Sequence, residues 1–451
     1  MNGYGDHMNA PVKARLSVKK SSQVMLLLVF ALVVLILFLG LAIDLGFAYL
    51  TKATLSKSVD SAALIGALNL GQGTAVATSL ATNMFYENYH VSARDSTNPV
   101  VNVTFTNNAT QGTTYINVNA SATIKTFFIS ILPQWKSLTV SSSAQGTRSR
   151  AIICLILDRS GSMKDNGGAK AMSGAVTNFI SCFDDDRDEI AMVSFATTPA
   201  VDVQMPTAFP PQAFRSAITT AVKSLFPSQA GGATFSQGGL TNALVQIAQA
   251  PVNTGENVLK AVVFFTDGYA NTIQDTLNVV SGLKSCSPPK LLNFGGYDSP
   301  NTVVGFFSPT LAETATAQDD EYGHIKDNET LRDSTCKSCP DLIPACTNVS
   351  QFYSQTNHAA ANFTQANVSA DAEWRARQVA DAMRSNKVVV YSIGLGSNLN
   401  KTFLKQIAND PTTPGYVKTD YDGEALFAPS SAELAAIFQA VARKIALRLT
   451  Q

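Results

Sequence analysis

Val24 to Ile43, VMLLLVFALVVLILFLGLAI, is a run of twenty residues without a charged side chain. At about 1.5 Å per residue a helix of that length spans about 30 Å, the thickness of a hydrocarbon core. A helix buried in a soluble domain would show a polar stripe over so long a run, and this one shows none. A cleavable signal peptide is the rival reading, but the run exceeds the usual apolar region of such leaders and no small-x-small site follows it closely. The sequence therefore predicts a transmembrane helix over 24–43 behind a short basic tail, 1–23.

Charge supplies the orientation. The chain carries 33 Lys plus Arg and 33 Asp plus Glu, yet the tail holds Lys13, Arg15, Lys19 and Lys20 against Asp6 alone. Its surplus of three is balanced by a deficit of three in the remainder. The first charge after the apolar run is Asp44. The positive-inside bias keeps the tail in the cytoplasm and exports everything beyond residue 44. No dense Lys/Arg block is present, which argues against nucleic acid as a partner. Charged residues make up 15% of the chain, against roughly 25% in an average soluble protein, because length goes to the apolar run and to Ala-, Ser-, Asn- and Thr-rich segments.

Residues 44–148 divide in two. Apolar and small residues at Leu45, Ala48, Tyr49, Leu55, Val59 and Ala62 continue the helix until Gly71 and Gly73 end it. Alternating runs such as Val101, Val103, Phe105 and Ile116, Val118, Ala120 then predict strands of a small antiparallel sheet. A long helix followed by a few strands is a pilin-like layout, by analogy alone.

From Ala151 the pattern becomes alternating strand and helix. Apolar runs at 151–157, 190–195, 258–265 and 388–393 read as strands. Helices are expected at 169–180, 212–225, 240–248, 373–384 and 402–408, and over 430–449 with a capping box at Ser430 and Glu433. This predicts an α/β fold with a doubly wound, mostly parallel sheet, whose ligands bind beyond the carboxyl ends of the strands. At that edge strand 151–157 runs into Asp158-Arg159-Ser160-Gly161-Ser162, a D-x-S-x-S pattern. Another loop reads Gly231-Gly232-Ala233-Thr234, and strand 258–265 ends in Thr266-Asp267-Gly268. Two carboxylates and three hydroxyls would converge there. These are hard oxygen ligands, suited to Mg²⁺ or Mn²⁺. Two aspartates only neutralise a divalent ion, so an open position could accept a carboxylate from another molecule.

These motifs, in this order, resemble a von Willebrand factor A domain with a metal-ion-dependent adhesion site, covering 151–284 and 371–449. The resemblance implies that Ser160, Ser162 and Thr234 hold the metal through hydroxyls and that Asp158 and Asp267 bind it directly or through water. Thr241 is a nearby alternative to Thr234. The stretch Gly40-Leu41-Ala42-Ile43-Asp44-Leu45-Gly46, with Val59-Asp60-Ser61-Ala62-Ala63-Leu64, is similar to the start of TadG-like proteins of the Flp/Tad tight-adherence pilus system. Together the two imply an inner (cytoplasmic) membrane protein with a periplasmic or extracellular C-terminal domain over 150–451. Its function would be adhesion or pilus assembly, with a protein partner's acidic residue and other pilus-assembly components as its contacts.

An insertion, 285–370, is expected between a helix and the strand at 388. It is polar and Asn-rich, reads as an added surface loop, and holds Cys286, Cys336, Cys339 and Cys346. In an exported segment disulfides are the default over zinc, and four cysteines allow three pairings. Cys154 and Cys182 are either free thiols or a pair. Asp184-Asp185-Asp186 reads as a solvated turn. No phosphate loop, G-x-S-x-G or H-E-x-x-H is present, and none of the four histidines can be placed beside Ser160 or Ser162, so no enzyme activity is expected. The alternatives to a metal-dependent pilus module are a generic cell-surface adhesin and a structural pilin-like subunit.

Overall fold

The computed structural model describes residues 17–90, 99–209, 212–279, 290–299, 302–307, 331–333 and 365–450. They fall into two compact units. The first comprises residues up to 63, 81–104 and 117–145; the second comprises 64–80, 105–116 and 146 onward.

In the first unit the apolar run lies within one helix, α1 (Ser17–Asn69), and its side chains from Val24 to Leu39 are exposed. Among the described residues α1 carries the one segment long and apolar enough to cross a membrane, with a mean hydropathy of 3.4 in its most apolar window. Beyond Asp44 the same helix becomes amphipathic, burying Ala48, Leu55, Val59 and Ala62. Gly73, at φ +102°, ends it as expected. The chain then re-enters helix as α2 (Thr74–Asn88), which the sequence reading had no signal for because small and polar residues dominate its first two turns. Strands β1 (Val100–Asn108), β2 (Thr113–Lys125) and β3 (Ser137–Asp158) are hydrogen-bonded neighbours in that order. On β2, Ile116, Val118, Ala120, Ala122 and Ile124 are buried at period two.

The strand expected at 151 is the second half of β3, and it begins the larger fold of the second unit. The element order continues with α3 (Ser162–Asp165), α4 (Gly168–Ile180), β4 (Glu189–Phe195), β5 (Pro199–Val203), α5 (Arg215–Leu225), α6 (Ser236–Gln249) and β6 (Val258–Thr266). After the insertion come α7 (Gln365–Ser385), β11 (Val388–Leu395), α8 (Lys401–Ala408), β12 (Ala425–Ala428) and α9 (Leu434–Arg448). Strand order is β5-β4-β3-β6-β11-β12, parallel throughout except for the antiparallel edge strand β5. Both faces are covered, as a near-continuous apolar strand requires. Ile152, Cys154 and Ile156 face a core completed by α6 and α7. Ile153, Leu155 and Leu157 point the other way, into a core completed by α4, α5 and α9. Each such isoleucine or leucine contributes roughly 1.5–3 kcal/mol by burial.

Three expectations change. The insertion contains strand: β8 (Lys290–Ser299), β9 (Thr302–Phe307) and β10 (Leu331–Asp333) lie within 285–370 and join β7 (Thr272–Val279), which precedes it, in a separate antiparallel sheet of order β10-β7-β8-β9. Polar composition misled the surface-loop reading of 285–370; just ahead of it, the β-branched residues and alternation of Thr272-Ile273-Gln274-Asp275-Thr276-Leu277 carry strand propensity. Helix α9 starts one turn later than expected, and the Ser430–Glu433 pair forms a turn, with the Glu433 amide donating to the Ser430 carbonyl at 3.2 Å and no side-chain cap. The Asp184–Asp186 turn is structural: Asp185 Oδ1 accepts the amides of Phe214 (2.8 Å) and Arg215 (2.9 Å) at the start of α5. Cys154 and Cys182 are free thiols. Cys286, Cys336, Cys339 and Cys346 lie outside the described residues, so their pairing does too.

Candidate metal centre

Strands β3 and β6 are adjacent and parallel, with Leu157 opposite Phe265. The next residues, Asp158 and Thr266, therefore emerge side by side at the carboxyl edge of the sheet. Thr266 Oγ1 donates to Asp158 Oδ2 at 2.6 Å. The other carboxylate oxygen, Oδ1, accepts the Ser160 amide at 2.7 Å, which folds the D-x-S-x-S loop back over the strand end. Ser160 Oγ lies 3.1 Å from Ser162 Oγ, and Ser162 Oγ donates to Asp267 Oδ1 at 2.7 Å. A continuous chain of oxygens thus runs from Ser160 through Ser162 to Asp267. Asp158, Ser160 and Asp267 are buried, and Ser162 is half-buried at the opening to solvent.

The loop before α6 is held against this one by backbone. Gly231 N–H donates to the Arg159 carbonyl at 2.7 Å and Gly161 N–H to the Gly232 carbonyl at 3.0 Å. Gly232 adopts φ +82°, a conformation that favours glycine. Thr234 is buried, and its amide donates to Asn271 Oδ1 at 2.6 Å. Its hydroxyl is not part of the hydrogen-bonded chain that joins the other four residues. The alternative, Thr241, has its hydroxyl donating to the Gln237 carbonyl one turn back on α6, on an exposed face.

Electrostatics favour a cation. Burial first, and then the negative charge of Asp267, push the Asp158 carboxyl well above its ordinary range against the hydrogen bonds from Ser160 and Thr266. Burial also raises Asp267, opposed by hydrogen bonds from Ser162 and Asn166. Among the described residues neither carboxylate has an ion-pair partner, and no group of three or more His, Cys, Asp or Glu could hold a metal. A divalent ion here depends on hydroxyls, and the donor set of two carboxylates and three hydroxyls suits one that prefers oxygen.

Several supporting residues carried no recognisable signal in the sequence. Asn166 Nδ2 donates to Asp267 Oδ2 at 2.5 Å, while its Oδ1 accepts the Gly168 amide at the start of α4. Thr197 Oγ1 accepts the Ala233 amide at 2.9 Å. Asn293 of β8, fully buried, donates to the Thr197 carbonyl at 2.8 Å, so the inserted sheet reaches the rim of the site. A strand-end Thr next to Asp267 was the one such signal available, since Thr266 continues the apolar run.

The strand order, the two-faced core and this constellation at the sheet's carboxyl edge decide the fold. The fold is that of a von Willebrand factor type A domain. Residues 153–291 match the model of that family, and residues 23–69 match the model described as putative Flp pilus-assembly TadE/G-like. No curated protein matches the chain. Solved structures that resemble it include a von Willebrand factor type A protein from Catenulispora acidiphila (15% identity, TM-score 0.34, 79% of this chain and 52% of that one). Another is the type V pilus tip protein Mfa5 from Porphyromonas gingivalis (16%, TM-score 0.37, 67% and 97%). A third is proximal thread matrix protein 1 of the mussel byssus, in a structure with a zinc-occupied metal site (15%, TM-score 0.33, 66% and 46%). The chain spans about half the length of the mussel and Catenulispora proteins. The assignment of the A domain rests on the family match and the observed topology, and these distant likenesses add no weight to it.

Proposed function

We propose that the A domain binds a protein partner through a divalent cation, Mg²⁺ or Mn²⁺, held by Asp158, Ser160, Ser162, Thr234 and Asp267. The observation that carries this reading is the continuous oxygen chain from Ser160 through Ser162 to Asp267, beside a buried Asp158 that has no ion-pair partner among the described residues. When bound, the ion would supply a Lewis-acidic position for an acidic side chain of the partner. The protein's own residues do the rest. Thr266 and the Ser160 amide orient the Asp158 carboxylate, Asn166 orients Asp267, and the half-buried Ser162 leaves the approach open. The reading is binding and not catalysis, because the sequence places no histidine beside either serine.

The TadE/G-like segment supports placing this module in a tight-adherence pilus system, with other pilus-assembly components as partners. In that setting 24–43 anchors the chain once in the inner membrane and leaves the A domain on the periplasmic or extracellular side. Helix α9 is the natural element to report occupancy. Asn166 joins Asp267 to the start of α4, and α4 packs on α9 through Phe179 and Phe438, whose rings are 6.2 Å apart. The test is binding of the full chain to isolated pilus components with and without EDTA. The reading expects binding to be lost on chelation and in Asp158→Ala; binding indifferent to both removes the metal from the function.

A further inference from the structure

The loop that links β2 to β3, residues 126–136, has the sequence TFFISILPQWK and is apolar where an exposed loop should be polar. It is also tied together by its own contacts. The Thr126 amide donates to the Lys136 carbonyl at 3.3 Å, the Thr126 hydroxyl bonds to the Trp135 carbonyl, and two 3₁₀ turns occupy Ile129–Ile131 and Pro133–Trp135. Yet Phe127, Phe128, Ile131, Leu132 and Trp135 are all exposed, Ile131 at 72% and Trp135 at 47%. Lys125 and Lys136 bracket the loop.

Its position explains the composition. Asp44, the first charge after the apolar run, is buried and accepts three amides from this loop: Phe127 on Oδ1 at 3.0 Å, and Phe128 and Ile129 on Oδ2 at 2.9 Å each. One turn earlier, a Cβ on Gly40 would lie 2.5 Å from the Phe128 ring, so glycine is required for the ring to reach the helix. The span from Asp44 to Gly40 is about 6 Å along the axis, comparable to the interfacial layer on one side of a bilayer. The loop is therefore clamped at the level where the apolar run ends, with an aromatic on its hydrocarbon side and lysines flanking it.

We propose that residues 126–136 form a second membrane-contacting element, which inserts Phe127, Phe128, Ile131, Leu132 and Trp135 into the interfacial layer of the leaflet on the exported side. It would act as a collar around the exit of α1. The occupant is lipid because the exposed apolar surface of the loop is continuous with that of the helix it is clamped to, and because Trp and Phe flanked by Lys suit the headgroup boundary. The collar would fix the tilt and depth of the helix, which a lone span leaves free. Two positions of the TadE/G-like segment then have a purpose: Gly40 admits Phe128 and Asp44 holds the loop. The proposal rests on the reading of 24–43 as a membrane anchor.

The chain has two tryptophans, Trp135 and Trp374. Full-length Trp374→Phe, reconstituted in phosphatidylcholine–phosphatidylglycerol vesicles containing lipid spin-labelled near the ester end of the acyl chain, isolates Trp135. The proposal expects at least about twofold quenching by that lipid, weak quenching by lipid labelled at the chain's end, and shielding from aqueous iodide. Asp44→Ala should reduce the lipid quenching while the protein still resists alkaline extraction. In the parent background Trp135→Phe should remove the lipid-quenchable part of the emission, a readout that does not depend on Trp374→Phe folding. A protein that resists extraction but whose Trp135 is open to iodide overturns the collar and leaves the anchor standing. Shielding from both lipid and iodide assigns the loop to a protein contact and overturns it equally. Loss of the protein on extraction overturns the anchor and the collar together.

Discussion

Asn166 and Asp267 are joined by a 2.5 Å hydrogen bond across two loops that are 101 residues apart in sequence. The same Asn166 side chain accepts the Gly168 amide, so one residue orients a carboxylate of the metal centre and sets the start of α4. Partners that orient a ligand without touching the ion typically change affinity by 10–100-fold when lost. Asn166→Ala is expected to weaken Mn²⁺ binding by about that factor with Asp267 intact, as measured by calorimetric titration.

Thr266 acts on the other carboxylate. Its hydroxyl is the donor to Asp158 Oδ2, and the pair is buried. Thr266→Val keeps the shape and removes the donor, leaving a buried acceptor unsatisfied at a cost of about 1–3 kcal/mol. Chemical denaturation in EDTA should show that loss. Added Mg²⁺ should recover part of it, because an ion that binds only the folded state stabilises it by mass action.

Midway along β3, just before its apolar run, a buried ion pair fixes the strand. Arg148 Nη2 and Nη1 reach Asp188 Oδ2 at 2.5 Å and Oδ1 at 3.2 Å, and the same carboxylate accepts the amides of Ala151 and Asp184. Removing one partner strands the other charge, which costs about 3–5 kcal/mol. Asp188→Ala should therefore lower unfolding free energy by that amount. Arg148→Met with Asp188→Asn should recover much of it.

Glu373 on α7 gives stability a pH dependence. It is buried, accepts one hydrogen bond from Asn400 at 2.7 Å, and burial pushes its carboxyl up to about 7. In the unfolded chain its value is about 4.3. Between those values the folded state holds a proton the unfolded state has lost, so this contribution is complete below about pH 4.3 and is lost as pH rises through about 7. Glu373→Gln removes the dependence. The variant should match the parent near pH 4.5 and exceed it near pH 8 by roughly 1–3 kcal/mol in denaturant unfolding.

Legibility followed periodicity. The apolar runs of β3, β4, β6 and β11 announce themselves because a strand covered on both faces has no room for polar residues, and the D-x-S-x-S loop was found by its place behind such a run. Asn166, Thr197 and Asn271 were not, since a polar loop residue that braces another looks like any other polar loop residue. The sequence of β3 reads as two pieces because its polar middle, Ser141 to Arg150, breaks the apolar signal although the backbone continues extended. The inserted sheet was hidden by its Asn-rich composition. In the sequence Asp44 shows itself as a charge and as part of a motif; its three amide partners lie 83 to 85 residues away, a distance no local pattern spans.

The central claim is that the oxygens at the carboxyl edge of the sheet hold one divalent cation. Titration of the full chain with Mn²⁺, followed by the loss of its free-ion paramagnetic resonance signal, tests this directly. The account predicts one Mn²⁺ per chain, displaced by Mg²⁺ and absent in Asp158→Ala and Ser160→Ala variants that keep the parent's circular dichroism. No bound Mn²⁺, or binding equal in the parent and Asp158→Ala, would contradict it.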